Sequence, residues 1–308
     1  ERFIPVAVEY DGTEKYYIAG AFTGSPNKNQ IWEYNRTTAS IRLIYETTLN
    51  DSTHYKLIYD STEQVLLAFI DSIEGEDPGF IQKIIINDSG ATNTTLLDDS
   101  QYDTVNPYFR FHYSKFLKKF IYLGLDGSTK TMYELDLDGV ETPITTDANF
   151  ELNGFSCIYE SGSTVIFYYI KNDSGTRKLY KRTYSGGWTE SYVVDWFDGA
   201  NYNNWYGYNF ISEGKIFITN IEVSRFLTIS SGTFTADLTP ADTRLYSPFE
   251  NNGKLFVLRK DTDQIQKLAS FTANVLSNET DVILPYNIVQ TPALYGFQQI
   301  CEYLSTDL

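Results

Sequence analysis

The residues best suited to binding chemistry lie in one aromatic segment, residues 186–208 (GGWTESYVVDWFDGANYNNWYGY). Aromatic rings can stack on the C–H faces of sugars while neighbouring acids and amides bond the hydroxyls, and the same side chains serve as hot spots of protein interfaces. The alternative is that the tryptophans fill the core, as large rings often do. The segment predicts a ligand-binding surface with these candidate residues: Trp188, Asp195, Trp196, Asp198, Tyr202, Asn204, Trp205 and Tyr206.

The motifs of common catalytic centres are absent from the sequence. There is no Gly-x-Ser-x-Gly elbow, no His-Glu-x-x-His pair and no phosphate-binding glycine loop before a helix. A glycosidase needs two carboxylates that converge on the scissile bond, and the only such pair near the aromatic segment is Asp195 with Asp198. We therefore assign no catalytic residue.

Residues that bind metals are scattered along the chain. The two histidines and the two cysteines stand singly, so the sequence predicts no zinc site, and Cys157 and Cys301 are expected to be small buried side chains. Calcium prefers clustered carboxylate and carbonyl oxygens. The acidic turns at residues 71–77, 98–99, 136–139 and 261–263 offer such oxygens without the full spacing of a known calcium loop. We predict no cofactor, with calcium as the one alternative.

The charge of the chain limits its partners. It carries 40 Asp and Glu against 24 Lys and Arg, a formal net charge of −16. Such a charge repels phosphate backbones and anionic lipid surfaces, so nucleic acid is not an expected partner. No apolar run approaches the length of about 18 residues that a membrane span needs, and we expect no membrane insertion. The acids are spread through the turns, where they favour solubility.

A repeat of about 40 to 50 residues organises these candidate residues. Each unit opens with a short strand that ends in an aromatic residue, and a strongly apolar strand begins five or six residues later. A third strand carries a charged residue between apolar ones, and a weaker polar strand closes the unit. The clearest copy is residues 155–183. The aromatic anchors are Tyr10, Tyr59, Tyr113, Tyr159, Phe210 and Phe249.

Four antiparallel strands repeated at this period resemble the blade of a β-propeller. The resemblance covers nearly the whole chain, but its motifs are generic. The sequence lacks the Trp-Asp and Gly-His signature of WD40 repeats, the double glycine of kelch repeats and the Ser-x-Asp-x-Gly-x-x-Trp box of sialidases. It therefore predicts an all-β propeller without a specific family. The competing fold is an antiparallel sandwich or a large barrel.

The repeat predicts a single propeller domain with six complete four-stranded blades. The tail contains Ala293 to Phe297, which resembles another first strand and favours an incomplete seventh blade. The alternative is that the tail is a strand that closes the ring, which would remove an exposed edge. The predicted blades are approximately residues 1–50, 51–100, 104–149, 150–197, 200–241 and 242–290, with 291–308 as the partial blade or closing strand.

The resemblance to propellers implies that the first strand of each blade lines a central channel. Alternation in the first strand of the third unit places Phe109, Phe111 and Tyr113 on one face and Arg110 and His112 on the other. Together with Lys56 of the second unit, Arg110 and His112 are candidate channel-lining residues for an anion or a carboxylate. The alternative is that these groups are solvated or paired with acids.

These observations predict a non-catalytic binding or structural module at a cell surface or on a virus particle, hence extracellular, with a glycan or a protein as partner. The alternative is a carbohydrate-active enzyme, a glycosidase or lyase, with its site at the channel mouth; this rests on analogy at the level of the fold. A third reading is a scaffold within a larger assembly, which the apparently incomplete last unit suggests.

Overall fold

A computed structural model of the chain describes most of it. Within this part strands dominate, and the other regular element is one turn of 3₁₀ helix at Ile211–Glu213. The described residues include no helix that is both long enough and apolar enough to cross a membrane. The described ranges are 2–23, 28–47, 52–72, 80–87, 90–98, 111–126, 128–152, 154–198, 205–220, 222–251, 253–260, 266–272 and 274–280.

The strands form six four-stranded antiparallel sheets, each made of four consecutive strands. This is the all-β, six-bladed β-propeller architecture that the repeat predicts. Consecutive antiparallel strands need only short turns, and the aromatic and β-branched residues of the repeat suit a pleated surface that is buried on both faces. We number the sheets one to six along the chain.

The chain divides into two compact units, of which the first holds sheets one and two. Sheet one consists of β1 (Arg2–Tyr10), β2 (Lys15–Thr23), β3 (Lys28–Asn35) and β4 (Ser40–Thr47). Sheet two consists of β5 (Ser52–Asp60), β6 (Val65–Ser72), β7 (Phe80–Asn87) and β8 (Gly90–Asp98).

The second unit holds sheets three to six. Sheet three consists of β9 (His112–Ser114), β10 (Lys119–Asp126), β11 (Thr129–Asp136) and β12 (Glu141–Thr146). Sheet four consists of β13 (Ser156–Ser161), β14 (Thr164–Asp173), β15 (Thr176–Tyr184) and β16 (Trp188–Asp195). Sheet five consists of β17 (Tyr206–Phe210), β18 (Lys215–Thr219), β19 (Ser224–Thr228) and β20 (Thr233–Phe234). Sheet six consists of β21 (Arg244–Asn251), β22 (Lys254–Lys260), β23 (Gln266–Thr272) and β24 (Val275–Thr280).

Neighbouring sheets within each unit bury their apolar faces against each other. In the first unit Tyr17 and Ile31 of sheet one pack with Leu57 and Leu66 of sheet two. In the second unit, sheets four and five share the largest of these clusters, which includes Phe155, Ile166, Trp196, Trp205 and Ile218. Burial of each such side chain stabilises the fold by about 1.5–3 kcal/mol.

An acidic residue beside the aromatic anchor fixes the turn that follows the first strand. In sheet one the Asp11 carboxylate accepts hydrogen bonds from the backbone N–H groups of Thr13 (2.7 Å), Glu14 (3.0 Å) and Lys15 (3.1 Å). In sheet two the Asp60 carboxylate accepts hydrogen bonds from the backbone N–H groups of Thr62 and Glu63, in the turn that follows its own strand. These bonds satisfy backbone donors that the turn removes from the strand ladder.

In the second unit the equivalent acids connect one sheet to the preceding one. Glu160 of sheet four accepts the backbone N–H of Phe116 at 3.2 Å. Glu250 of sheet six accepts those of Ile211 at 2.7 Å and Ser212 at 3.1 Å. The residue after the aromatic anchor thus connects the turn that follows its own first strand to the corresponding turn of the preceding sheet.

The first strands of successive sheets contact one another within each unit. In the first unit β1 contacts β5. In the second unit β9 contacts β13, β13 contacts β17, and β17 contacts β21. Polar side chains join these strands. Asn209 of β17 donates to the carbonyl of Ile158 at 2.7 Å, and the Tyr208 hydroxyl accepts the N–H of Glu250 at 2.8 Å.

The closing strand of sheet five, β20, contains only two residues. The Asp237 carboxylate accepts the N–H of Ser224 at 3.0 Å and replaces a ladder bond there. The predicted seventh blade or closing strand, 291–308, lies outside the described residues.

We expect Gly207→Ala to destabilise the second unit. A methyl group at Gly207 would lie 2.8 Å from the Cys157 Cβ and 2.9 Å from the Phe155 ring, so β13 and β17 would have to move apart. Overpacking of this kind costs about 2 kcal/mol, measurable as a shift in urea unfolding. Gly187→Ala is the control, because no heavy atom of the described residues lies within 4 Å of a methyl group there. Equal stability of the two variants would contradict the close approach.

Candidate functional site

The hairpin between β14 and β15 positions the most distinctive exposed residues of the second unit. Its two-residue turn consists of Ser174 (φ 55°) and Gly175 (φ 87°), and both are left-handed. This is the geometry of a type I′ turn, whose twist matches that of the flanking strands. The Asn172 side chain accepts the N–H of Gly175 at 2.9 Å and holds the turn closed.

A β-bulge on β16 brings two candidate residues onto one face of sheet four. Lys178 pairs with Asp195, and Tyr180 pairs with Tyr192, so Val193 is an additional residue on β16. Regular alternation would place Tyr192 and Asp195 on opposite faces, since they are three residues apart. The bulge moves Asp195 to the face of Tyr192.

The resulting hairpin surface consists of Asp173, Lys178, Tyr192 and Asp195. The Tyr192 ring is 51% exposed, and its hydroxyl donates to Asp195 Oδ1 at 3.0 Å. The Lys178 ammonium lies 2.7 Å from Asp173 Oδ2 and 5.9 Å from the centroid of the Tyr192 ring. An exposed aromatic face is therefore surrounded by two carboxylates and one ammonium group.

The charges of the hairpin surface support one another. The Lys178 ammonium lowers the pKa of Asp173, and the Asp173 carboxylate in turn raises the pKa of Lys178. Desolvation and the hydrogen bond to Asp195 raise the pKa of Tyr192. Asp173 and Lys178 are therefore both charged at neutral pH, and the Tyr192 hydroxyl keeps its proton.

A half-buried charge cluster, the Lys171 network, lies on the same face of sheet four. The Lys171 ammonium is 2.7 Å from both Asp147 Oδ2 and Glu190 Oε1. Tyr169 donates its hydroxyl proton to Glu190. Arg182 lies 3.2 Å from Glu190 Oε2 and donates to the Tyr169 hydroxyl at 3.2 Å. Each buried charge thus has an opposite charge as partner, as burial requires.

The pKa values within the Lys171 network follow from two opposed effects. Partial burial favours the neutral forms of Asp147 and Glu190, but hydrogen bonds from Lys171 and other donors outweigh it and lower the pKa of both carboxyl groups. Burial also favours neutral Lys171, but hydrogen bonds to the two carboxylates raise its pKa. Burial and the Glu190 hydrogen bond raise the pKa of Tyr169. Both carboxyl groups are therefore ionised at neutral pH.

Aromatic rings join the Lys171 network to the hairpin surface. The Lys171 ammonium lies 4.7 Å from the centroid of the Tyr180 ring and 5.5 Å from that of Phe150. Tyr180 contacts Tyr192 edge to face, with 5.9 Å between ring centroids. Cation–π and edge-to-face contacts of this kind fix the orientation of Tyr192 before any ligand binds.

The two carboxyl groups of the Lys171 network are ionised at neutral pH. Asp147 and Glu190 lie within reach of one ammonium group, but a glycosidase of the usual kind needs one carboxyl group that is protonated at working pH. Both carboxyl groups have lowered pKa values instead. The hairpin surface offers an aromatic face, hydrogen-bond acceptors and a cationic donor.

Two of the predicted ligand-binding tryptophans are buried, which corrects the expectation of exposed rings. Trp196 is 5% exposed and Trp205 2% exposed. Trp196 stacks on Phe155 at 5.4 Å between centroids and meets Trp205 edge to face at 5.7 Å. These rings fill the space between sheets four and five, so neither presents a face to a sugar.

The other members of the predicted site are not all brought together. Trp188 begins β16 and Asp195 ends it, so they lie roughly 20 Å apart along the strand. Trp188 is half-buried, and its indole N–H donates to Glu134 of sheet three at 2.6 Å. Asp198 and Tyr206 are half-buried on either side of the connection to sheet five. Tyr202 and Asn204 lie outside the described residues.

The candidate channel residues Lys56 and His112 belong to different units. Lys56 on β5 is half-buried, with its ammonium 5.8 Å from the centroid of the Phe69 ring. Burial lowers the pKa of Lys56 to about 8, and the Glu9 carboxylate partly opposes this change.

His112 lies on β9, and its Nε2 is 3.0 Å from the Ser156 hydroxyl of β13. The alternation predicted for this strand is present, since Phe111 and Tyr113 are buried. Arg110 lies outside the described residues. An anion site at these positions stays a prediction.

Most of the hairpin surface is not predicted from the sequence. The sequence predicts Asp195 at a binding surface, but not Tyr192, Lys178 or Asp173. The available signal was the Asn-Asp-Ser-Gly turn at residues 172–175 followed by alternation along β15. The bulge on β16 had no comparable signal, because bulges depend on pairing with the neighbouring strand.

The cysteine and metal predictions are only partly covered by the described residues. Cys157 is a free thiol, 2% exposed, and burial raises its pKa, so it is the small buried side chain that was predicted. Cys301 lies outside this part of the chain. Among the residues that the structure describes, no group of three or more His, Cys, Asp or Glu side chains is arranged to hold a metal ion.

Comparison with known proteins shows the fold and no family. No family model matches the sequence, and no curated protein is similar to it. The chain is similar to a structure from a study of two prolyl endopeptidases, with a TM-score of 0.56, 10% identity and coverage of 86% of this chain and 40% of that one. It is also similar to prolyl oligopeptidase B from Galerina marginata, with a TM-score of 0.53, 10% identity and coverage of 89% and 43%.

A third similar structure is the β-propeller domain of the Trilobed protease from Pyrococcus furiosus, with a TM-score of 0.46, 11% identity and coverage of 92% and 100%. This chain spans less than half the length of the two prolyl peptidases. At about 10% identity those two likenesses show the propeller fold alone, and a fold by itself does not fix an activity.

We expect Glu190→Gln to destabilise the protein at neutral pH by about 2 kcal/mol, because it removes the charge that Lys171 and Arg182 contact. The folded-state pKa of Glu190 lies below its ordinary value of 4.5. The carboxylate therefore stabilises the fold above that pH, and this contribution is lost as the pH falls through the folded-state pKa. Urea unfolding from neutral pH to about pH 3 should show a shallower loss of stability in the variant than in the wild type.

The control for this variant is Glu222→Gln. The Glu222 side chain is 66% exposed and lies 3.5 Å from an exposed Arg244. An exposed pair contributes about 0–1 kcal/mol, so this variant should keep the wild-type pH profile. Parallel profiles for Glu190→Gln and the wild type would contradict the assignment.

Proposed function

We propose that this chain is a non-catalytic binding module whose hairpin surface takes a carbohydrate. The observation that carries the proposal is the Tyr192 ring, half-exposed and held by Asp195 on one side and by Tyr180 on the other. A sugar ring stacked on Tyr192 would present its hydroxyls to Asp173 and Asp195 as acceptors and to Lys178 as a donor.

Preorganisation supports this reading. The Tyr192 hydroxyl and the Lys178 ammonium are already fixed by contacts within the protein. A ligand that binds to fixed side chains avoids much of the entropy cost of ordering them. Tyrosine also has a large rigid contact area, so this surface would suit a protein ligand as well. Binding to a glycan array distinguishes a glycan ligand from a protein ligand.

The state of the nearby carboxyl groups favours binding over hydrolysis. Asp147 and Glu190 are held ionised by Lys171, which leaves neither of them as a proton donor to a leaving group. The alternative, a glycosidase or lyase, requires catalytic groups elsewhere in the chain. We extend the proposal to a cell-surface or virion setting, which the net charge of −16 supports by disfavouring nucleic acid and anionic lipid as partners.

We expect Tyr192→Ala to weaken glycan binding by about tenfold or more, because it removes the stacking face. Asp195→Asn keeps the shape but removes the charge, and should weaken binding by a smaller factor. A glycan array followed by calorimetry on the best ligand measures both. Ser191→Ala is the matched control, because Ser191 is an exposed neighbour of Tyr192 on the same strand.

Three outcomes would contradict the proposal. Glycan binding that is unchanged in Tyr192→Ala would remove the hairpin surface as the site. Turnover of a polysaccharide by the wild-type chain would support the enzyme alternative. Capture of a protein ligand that Tyr192→Ala abolishes, with no glycan bound, would transfer the same surface to protein recognition.

A further inference from the structure

The turn between β9 and β10 is a basic patch in an acidic protein. Its sequence, Ser114-Lys-Phe-Leu-Lys-Lys119, places three lysines within five residues of a chain with net charge −16. Lys115 is exposed, and Phe116 is 48% exposed at the turn. The turn therefore presents an exposed aromatic ring between lysine side chains.

The turn is rigid. The N–H of Leu117 donates to the Ser114 hydroxyl at 3.0 Å, and the N–H of Lys118 donates to the Ser114 carbonyl at 2.9 Å. Glu160 of sheet four accepts the N–H of Phe116 and the Ser114 hydroxyl proton. The exposed Phe116 is therefore carried on a fixed backbone, which lowers the entropy cost of binding.

Lys118 occupies a backbone conformation that glycine adopts more easily. Its φ is +56°, and the residues before the second strand of sheets five and six are Gly214 at +60° and Gly253 at +75°. In sheet two the same position is Gln64 at +53°. A side chain here is disfavoured, and such conformations often mark functional positions. Lys118 adds a positive charge to the patch that glycine would lack.

We infer that this basic turn, defined as Lys115, Phe116 and Lys118, binds an acidic peptide segment of a partner protein that also carries an apolar residue. Carboxylates of the segment would meet the lysine ammonium groups, and its apolar side chain would cover Phe116. The net charge of the protein does not prevent this contact, because charges beyond about 8 Å are screened at physiological ionic strength.

A narrow peptide fits the surroundings of the turn better than an anionic membrane. A flat anionic surface would also meet the corresponding turn of sheet five, where the exposed Ile211 is flanked by the carboxylates of Glu213 and Glu250. Those charges would repel lipid headgroups. A peptide that contacts only the basic turn avoids Glu213 and Glu250, and Glu160 at the basic turn already accepts the Phe116 N–H and the Ser114 hydroxyl proton.

This inference is independent of the carbohydrate proposal. The hairpin surface lies at the β14–β15 end of sheet four, whereas Glu160, which holds the basic turn, lies at the β13–β14 end. Tyr192→Ala should therefore leave peptide binding unchanged, and loss of one activity does not imply loss of the other.

The test compares Lys118→Gly with Gln64→Gly. Both variants replace a left-handed side chain with glycine, so both should unfold at a higher temperature. Only Lys118→Gly removes a charge from the basic turn. Its Kd for a short fluorescent peptide of alternating glutamate and leucine, measured by anisotropy, should rise about threefold, while that of Gln64→Gly stays at the wild-type value. Phe116→Ser should raise the Kd further, and added NaCl should weaken binding.

Three results would overturn the inference. The first is no binding of this peptide to the wild-type chain. The second is an equal change of Kd in Lys118→Gly and Gln64→Gly, which would indicate a conformational effect. The third is binding to vesicles of phosphatidylserine and phosphatidylcholine, but not to the peptide, which would assign the basic turn to a lipid surface.

Discussion

Packing of each sheet face against the neighbouring sheet is the constraint on which the rest of this structure depends. A four-stranded sheet cannot bury its own faces, so each repeat must supply large side chains to fill the space beside it. Trp196 and Trp205 do this between sheets four and five. The approach is close enough at Gly207 that no side chain fits between it and Cys157. Part of the aromatic richness of the chain is thus a packing requirement.

This constraint limits where a ligand can bind. The side chains left exposed are those at hairpin ends and on outer strands, which no neighbouring sheet covers. Among the described residues these include Tyr192 and its charged neighbours on sheet four, and Phe116 and its lysines on sheet three. Tyr192 is held by a hydrogen bond to Asp195 of the same sheet, and the backbone of Phe116 is held by a hydrogen bond to Glu160 of the next sheet. A rigid scaffold with small exposed sites is typical of recognition by repeat proteins.

The acidic side chains are also arranged to suit the packing of the sheets. Buried acids are paired, as in the Lys171 network, where two carboxylates share one ammonium group. Glu160 and Glu250 instead accept backbone N–H groups and join neighbouring sheets. Hydrogen bonds from Lys171 keep Asp147 and Glu190 ionised, so neither of these two carboxyl groups is a proton donor.

The sequence by itself determined the repeat, the strands and the aromatic anchors, because alternation and turn residues are local properties of the chain. It also indicated Asp195 as a candidate, but it did not indicate that Tyr192 shares its face. Only the tertiary structure decided that, because the bulge at Val193 exists through pairing with β15. The burial of Trp196 and Trp205 was likewise decided by the approach of a second sheet, a contact that no local pattern encodes.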